Sequence, residues 1–225
     1  MKLRLVSAGA AQGLARAVAK ERGIELEGHF GAVGAMLERL LAGEPCDVVI
    51  LTRAQIDQLA AQRKVVPEGI ADLGRVPTSI AVRSAGPRPH VGDAAALRAA
   101  LLAADAIYFP DAVKSTAGIH FAKVVDILGI TSQVSPRLRT FPNGSTAMAA
   151  MAQADGNPIG CTQSTEILAT PGVTLVAPLP RGFDLETVYT AAVSAIAADA
   201  HAARDFVAAL TGASTAALRR KAGFD

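Results

Sequence analysis

Tryptophan is absent from this chain of 225 residues, and aromatic residues of all kinds make up only 4% of it. Such a composition provides little material for stacking on nucleic-acid bases or sugar rings. The two cysteines, Cys46 and Cys161, lie far apart in sequence, and the four histidines are isolated from one another. Neither a CxxC pair nor a Cys/His spacing typical of zinc ligands is present. We therefore expect no metal site and no cofactor.

Charge of one sign and long apolar runs are also missing. The formal net charge is +2, and Lys and Arg are scattered without a basic run, which argues against a nucleic-acid partner. No apolar stretch approaches the length of a membrane-spanning helix, so membrane insertion is not expected. The segment Lys2–Val6 reads directly as a strand with no apolar leader before it, which predicts a cytoplasmic location, or a periplasmic one if a signal peptide has been removed. We expect a monomer.

What the chain does have is a large apolar fraction, 51%, in which alanine dominates, and this suits helices packed tightly on a sheet. Strand and helix patterns alternate in its first part, and the continuous apolar run Asp47–Leu51 is typical of a parallel strand covered on both faces. The predicted elements are strand Leu3–Val6, a helix around Leu14–Val18, strand Ile24–Phe30, a helix around Met36–Leu41, strand Asp47–Leu51 and a helix around Ile56–Leu59. This order predicts a doubly wound α/β sheet.

A second set of alternating elements follows. It comprises strand Ala106–Phe109, helix Gly118–Leu128, strand Leu138–Phe141, helix Ser145–Gln153, strand Ile159–Thr162, a helix around Ser164–Leu168 and strand Val173–Val176. The runs Thr78–Arg83 and Val188–Ile196 flank this set, and we interpret them as two strands that cross between lobes. The predicted division is residues 1–79 with 190–225 as lobe 1 and residues 80–189 as lobe 2, with a ligand cleft between them.

Four turns between strands and helices are rich in small or hydroxyl residues. They are Ser7-Ala8-Gly9-Ala10, Gly31-Ala32-Val33-Gly34, Ser115-Thr116-Ala117-Gly118 and Asn143-Gly144-Ser145-Thr146. Each would place backbone N–H groups at a helix N-terminus, where the helix dipole also favours negative charge. Two turns come from each predicted lobe, which indicates an anion site. Ordinary helix capping is the alternative explanation for any single turn.

Individual side chains near these turns are further candidates. Arg53 follows the third strand and could pair with a carboxylate, or it could be a solvated residue of a first helical turn. Lys114 could attract an anion to its turn, or it could be an ordinary surface lysine. His120 could act as a general acid or base, although a lone helical histidine is more often packed or solvated.

Two polar residues follow the strand Ile159–Thr162 and could hydrogen-bond ligand oxygens: Gln163 and Ser164. Ser164 could equally well cap the next helix. Glu166 would be an awkward neighbour for an anion, so we expect it to face elsewhere, or to stay protonated if it is buried.

Several motifs in this order resemble the molybdate-binding proteins of ABC transporters, and in particular their shorter, often leaderless relatives: KLRLVSAGA, PCDVVIL, KVVPEG, DLGRV, STAGIHFAKVVDILGI and TVYTAAVSA. The resemblance covers nearly the whole chain and implies the class II periplasmic-binding-protein fold, in which two Rossmann-like lobes close around an anion. It also implies an ABC permease as a partner. Ser7 matches the serine that holds the oxyanion in that family, and Tyr189 matches a tyrosine at the second crossing. About where the family has a second serine, this chain has Val33.

The expected ligand is therefore a small anion, either an oxyanion such as molybdate or a small carboxylate. The residues expected to contact it are Ser7, Ala8, Gly9, Ala32, Val33, Arg53, Lys114, Ser115, Thr116, Gly144, Ser145, Gln163 and Tyr189.

An enzymatic function has less support, because the sequence lacks a P-loop, a G-x-G-x-x-G fingerprint and a G-x-S-x-G elbow. One alternative fits the fold: aconitate isomerase resembles the same family, so such a cleft can host proton transfer in a small unsaturated acid. His120 would then be the base, and Lys114 and Arg53 would hold carboxylates. A cytoplasmic ligand sensor is a third possibility.

Overall fold

The computed structural model describes residues 2–225 and separates into two compact units. The first comprises the chain up to Val76 together with Thr187–Asp225, and the second is Pro77–Glu186. In chain order the elements are β1 (Lys2–Ala8), α1 (Gln12–Glu21), β2 (Glu25–Gly31), α2 (Val33–Leu41), β3 (Val48–Thr52), α3 (Arg53–Ala61), β4 (Val65–Arg83), α4 (Ala94–Ala103), β5 (Ile107–Pro110), α5 (Thr116–Ile127), α6 (Thr131–Val134), β6 (Leu138–Phe141), α7 (Gly144–Ala152), β7 (Ile159–Gln163), α8 (Ser164–Leu168), β8 (Val173–Pro178), β9 (Glu186–Ser194), α9 (Ala200–Thr211) and α10 (Ala216–Lys221).

The first unit is built on a sheet in which β1 lies between β2 and β3, all three parallel, and β9 runs antiparallel to β3. Residues 48–51 of β3 are completely buried, as the continuous apolar run predicts, because helices cover both faces of a parallel sheet. Asp47 anchors this region: its carboxylate accepts hydrogen bonds from the Arg4 backbone and side chain and from the Ala198 N–H. Burial raises the pKa of Asp47, but these hydrogen bonds outweigh it and lower the pKa overall.

The second unit has its own sheet. Strand β5 lies between β6 and β7, parallel to both, while β4 runs antiparallel to β7 and to β8. Its core is formed around Phe109, Phe121 and Ile159 on one side and around Met148 and Met151 on the other. The predicted α/β fold with parallel strands is confirmed. The predicted cleft between two lobes stays a prediction.

The structure corrects two parts of the sequence-based prediction. Residues 65–77, for which no strand was predicted, belong to the long strand β4, although they include Pro67, Gly69 and Gly74. Helix α4 was not predicted; Asp93 caps it, accepting from the Ala96 N–H at 2.8 Å. Both cysteines are buried and unbridged. Over residues 2–225, no helix is long and apolar enough to cross a membrane, and no three His, Cys, Asp or Glu side chains are grouped as metal ligands.

Candidate functional site

The first candidate turn follows β1. Ser7 is completely buried, and its hydroxyl group donates to the carbonyl oxygen of Ala8 at 3.0 Å. Ala8 precedes a single 3-10 turn, Gly9–Ala11, and no side chain of the described residues caps this turn or the start of α1. The N–H groups of a first helical turn have no partner within the helix and carry its positive end. This turn therefore combines a buried hydroxyl with uncapped backbone donors.

The second candidate turn lies beside the first. Ala8 and Gly31 are paired positions on the parallel strands β1 and β2, so the two turns share one edge of the sheet. Ala32 and Val33 are buried at the start of α2, which no side chain in the described part of the chain caps. Val33 carries no hydroxyl, so this turn offers only backbone N–H groups.

Arg53 begins α3 at the same edge, but its guanidinium is already paired within the chain. Its Nε lies 3.0 Å from Asp57 and its Nη1 lies 2.9 Å from Asp72, and the Thr190 hydroxyl donates to the same Asp72 oxygen at 2.6 Å. The hydrogen bond that Arg53 donates to Asp72 and the charges of the carboxylates of Asp72 and Asp57 raise the pKa of Arg53. Since Thr52 and Gln55 form a capping box, the start of α3 is capped by side chains.

Tyr189 lies on β9, where it is the paired position of Thr52. Only 2% of the residue is exposed, and its ring meets the Phe224 ring edge-on at 6.5 Å between centroids. The aromatic part of Tyr189 is therefore part of the core of the first unit.

In the second unit, the turn before α5 is ordered largely by one carboxylate. Asp111 Oδ1 accepts the N–H groups of Val113 and Lys114, each at 2.7 Å, and these bonds lower the pKa of Asp111. Ser115 is buried and caps α5 by accepting from the Gly118 N–H at 3.5 Å, and Thr116 follows it half-buried. A Cβ atom at position 118 would lie 2.2 Å from the Asp111 carbonyl oxygen, so only glycine allows α5 to approach the end of β5 this closely.

His120, the candidate base, lies in the second turn of α5. Its Nε2 is 2.6 Å from the carbonyl oxygen of Phe183. A carbonyl oxygen can only accept, so Nε2 carries a proton, and in the neutral form of the ring Nδ1 is the nitrogen with a lone pair.

The turn before α7 differs most from the prediction. Asn143 and Thr146 form a capping box across it, while Gly144 is buried and Ser145 is half-buried. The backbone N–H groups of Gly144 and Ser145 donate to the carboxylate of Glu166. Two of the donors that we expected an external anion to use are thus bound to a carboxylate of the chain itself.

Glu166 does not face away from this turn; of the two alternatives expected for it, the structure shows the buried one. Its carboxylate is buried and also accepts the Thr162 hydroxyl at 2.6 Å and the Gln163 N–H. Burial raises the pKa of Glu166, and although these hydrogen bonds act in the opposite direction, the net shift is upward. A Cβ atom on Gly144 would lie 2.0 Å from Glu166 Oε2, so the missing side chain leaves room for the carboxylate.

Strand ends explain why these turns come together within the second unit. Strands β5, β6 and β7 are parallel, so α5, α7 and α8 all begin at one edge of the sheet. Strand β4 is antiparallel to β7, and its Thr78 pairs with Gln163 at that edge. The hydroxyls of Thr78 and Thr165, which sequence reasoning missed, are buried there without a hydrogen-bond partner in the described structure. The hydroxyl-rich run Thr162–Thr165 was the available signal.

The candidate residues thus form two groups, one on each unit. The group at the sheet edge of the first unit is Ser7, Ala8, Gly9, Ala32, Val33, Arg53 and Tyr189. The group at the sheet edge of the second unit is Lys114, Ser115, Thr116, Gly144, Ser145 and Gln163.

A buried hydroxyl beside uncapped helix starts, on a doubly wound α/β unit, is the kind of site found in proteins that bind small solutes. The family model of the bacterial extracellular solute-binding proteins matches residues 5–225, and the chain belongs to that family. Aconitate isomerase from a Pseudomonas species is 26% identical over 212 residues, which span 90% of this chain and 79% of the relative. The molybdate-binding protein ModA of Escherichia coli is 23% identical over 186 residues, or 82% of this chain and 72% of the relative.

Comparison with solved structures supports the same family of folds. The periplasmic molybdate-binding protein of Azotobacter vinelandii matches with a TM-score of 0.76 at 19% identity, covering 99% of this chain and 98% of that one. The resemblance to molybdate-binding proteins and the periplasmic-binding-protein fold are therefore both confirmed.

Proposed function

We propose that this protein is the substrate-binding component of an ABC transporter and holds a small anion in a cleft between its two units. The observation that supports this most directly is the edge of the first sheet. There the buried Ser7 hydroxyl lies beside two helix starts that no side chain of residues 2–225 caps. Fixed N–H donors at the positive ends of helices are well suited to bind a negative charge.

The ligand class follows from the number of donors. The two candidate turns of the first unit supply one serine hydroxyl, because Val33 has none, and the turn before α7 already binds Glu166. We therefore propose an anion bound mainly by backbone N–H groups, either a tetrahedral oxyanion such as molybdate or a small carboxylate. Membership in an extracellular solute-binding family supports a site of action outside the cytoplasm and a permease partner.

The test is titration calorimetry of the purified protein with molybdate, sulfate and small di- and tricarboxylates. Ser7→Ala should weaken binding of the anion that binds by about 1–3 kcal/mol, the typical effect of removing a hydrogen bond to a charged group. Ser214→Ala changes an exposed serine of the same unit and should leave affinity unchanged. Unchanged affinity in Ser7→Ala would remove this turn from the site, and no binding of any of these anions would refute the proposal.

The similarity to aconitate isomerase supports a second candidate function, proton transfer in an unsaturated carboxylic acid. His120 would have to act through Nδ1, because Nε2 is bound to the Phe183 carbonyl oxygen. We expect no turnover: proton NMR of unsaturated carboxylates in deuterated water should show neither solvent exchange nor interconversion of isomers. Exchange that disappears in His120→Ala would establish the isomerase instead.

A further inference from the structure

Glu166 is a buried carboxylate, and no basic side chain among residues 2–225 forms an ion pair with it. Helix α8 packs mainly against β7, β8 and α7. Among the described residues of these elements and of α8, the other titratable side chain is that of Cys161, and burial raises the pKa of its thiol, which is therefore uncharged. An ionised carboxylate in such surroundings must be stabilised by dipoles alone.

Four donors provide that stabilisation, and all four belong to the proposed binding edge of the second unit. The Thr162 hydroxyl donates at 2.6 Å, and the N–H groups of Gly144, Ser145 and Gln163 complete the set. Two of these N–H groups are at the start of α7, where the helix dipole also favours negative charge. The carboxylate therefore connects the end of β7 to the start of α7.

The sequence leaves space for this arrangement at one position. A Cβ atom at residue 144 would lie 2.0 Å from both Glu166 Oε2 and Thr162 Oγ1, closer than atoms can approach. Gly144 does not have a left-handed backbone conformation, so its φ angle does not require glycine. Glycine is required because a Cβ atom would occupy the space of the Glu166 carboxylate.

We propose that Glu166 is the positioning residue of this edge and that its ionisation couples the order of the Asn143–Thr146 turn to the binding of one proton. When Glu166 is ionised, it holds the N–H groups of Gly144 and Ser145. When it is protonated, it accepts these bonds more weakly, releases backbone donors and removes a negative charge from the edge. The consequence for ligand rests on the proposed function: an anion should bind more tightly once Glu166 is protonated.

The first experiment needs no ligand. The amide proton and nitrogen shifts of Gly144, Ser145 and Gln163 are followed by NMR as the pH is changed. In the wild type all three should titrate with one midpoint above 4.5, the ordinary pKa of glutamate. Glu166→Gln should abolish the titration, whereas Glu68→Gln, at an exposed glutamate, should leave it intact.

A second variant keeps the carboxylate and tests the role of Glu166 even if Glu166→Gln does not fold. Thr162→Val removes the hydroxyl donor but preserves the shape of the side chain. Because that hydroxyl lowers the pKa of Glu166, the common midpoint should move to higher pH in Thr162→Val. A midpoint that stays in place, or amides that do not titrate together, would overturn the proposal.

The ligand consequence is measured separately with sulfate, which keeps its charge over this pH range. Its affinity should rise roughly fivefold or more as the pH falls through the NMR midpoint, the lower end of typical coupling between sites. The increase should be absent in Glu166→Gln. A sulfate affinity that does not change as the pH passes through the midpoint of the amide titration would refute the coupling to the ligand. No sulfate binding at any pH would refute the ligand consequence for sulfate and leave the proposed function to be decided by the other anions, while the amide titration would still decide the role of Glu166.

Discussion

Replacing Gly144 by alanine should destabilise the second unit, because the new methyl group occupies the position of a buried carboxylate. Its Cβ would lie 2.0 Å from Glu166 Oε2 and 2.6 Å from the carboxyl carbon. The Glu166 side chain would have to move away from the N–H groups that it now accepts. Both the overlap and the lost hydrogen bonds contribute to the cost.

The expected size follows from these two contributions. Overpacking of a buried site costs about 1–3 kcal/mol, and leaving a buried charged group without its hydrogen bonds costs about 1–3 kcal/mol more. The better helix propensity of alanine returns at most about 1 kcal/mol. Gly144→Ala should therefore lower the free energy of unfolding by about 1–6 kcal/mol.

Urea denaturation followed by circular dichroism measures this loss. Gly86→Ala is a matched control in the same unit, since its Cβ would meet no atom closer than 3.4 Å and its φ angle is not left-handed. It should change the stability by less than about 0.5 kcal/mol. Adding Glu166→Ala to Gly144→Ala should reduce the cost of the glycine change, because the overlapping carboxylate is then gone. A Gly144→Ala protein as stable as the control would refute the geometry.

Two further predictions concern stability and pH. The pKa of Asp47 is lowered overall, because hydrogen bonds from Arg4 and from the Ala198 N–H outweigh the effect of burial, so its stabilisation should be present above its ordinary pKa of 3.8 and be lost as the pH falls through the lowered value. Urea titration of Asp47→Asn at neutral pH should show about 2–4 kcal/mol less stability than the wild type, and a loss below about 0.5 kcal/mol would contradict this. The pKa of Glu166 is raised, mainly by burial, so the wild type should gain stability relative to Glu166→Gln as the pH falls from neutral, with the gain complete below 4.5. A difference between these two proteins that does not vary with pH would show that the carboxylate titrates normally.

Local patterns were sufficient to predict most of the fold. The apolar run of β3 and the helix of residues 116–127 are strong periodic signals, and both are present within a residue or two of the prediction. Strand β4 was missed over its first part because Pro67 and Gly69 normally interrupt strands. Gly69 is explained by tertiary packing: a Cβ there would lie 2.8 Å from a methyl group of Val193, far away in sequence. Such a contact leaves no local pattern.

The turns of the candidate site were predictable, but the partners of their polar groups were not. Arg53 pairs with Asp72, and Glu166 reaches the turn at Gly144, each across a long stretch of chain. A sequence shows which residues can donate or accept, whereas the fold decides which of them meet. The predicted anion site therefore included donors, such as the N–H groups of Gly144 and Ser145, that already bind acceptors within the protein.

The two units consequently differ in what they can offer an anion. In the first, the starts of α1 and α2 are capped by no side chain of the described residues, and the turn before α1 also carries the Ser7 hydroxyl. In the second, Ser115 and Asn143 cap α5 and α7. The carboxylate of Glu166 adds a negative charge at the second of these helices, which would repel a ligand of the same sign. If an anion binds as proposed, the first unit must therefore supply most of the favourable electrostatic interaction, and the second unit must select the ligand through hydroxyl groups and through the protonation of Glu166.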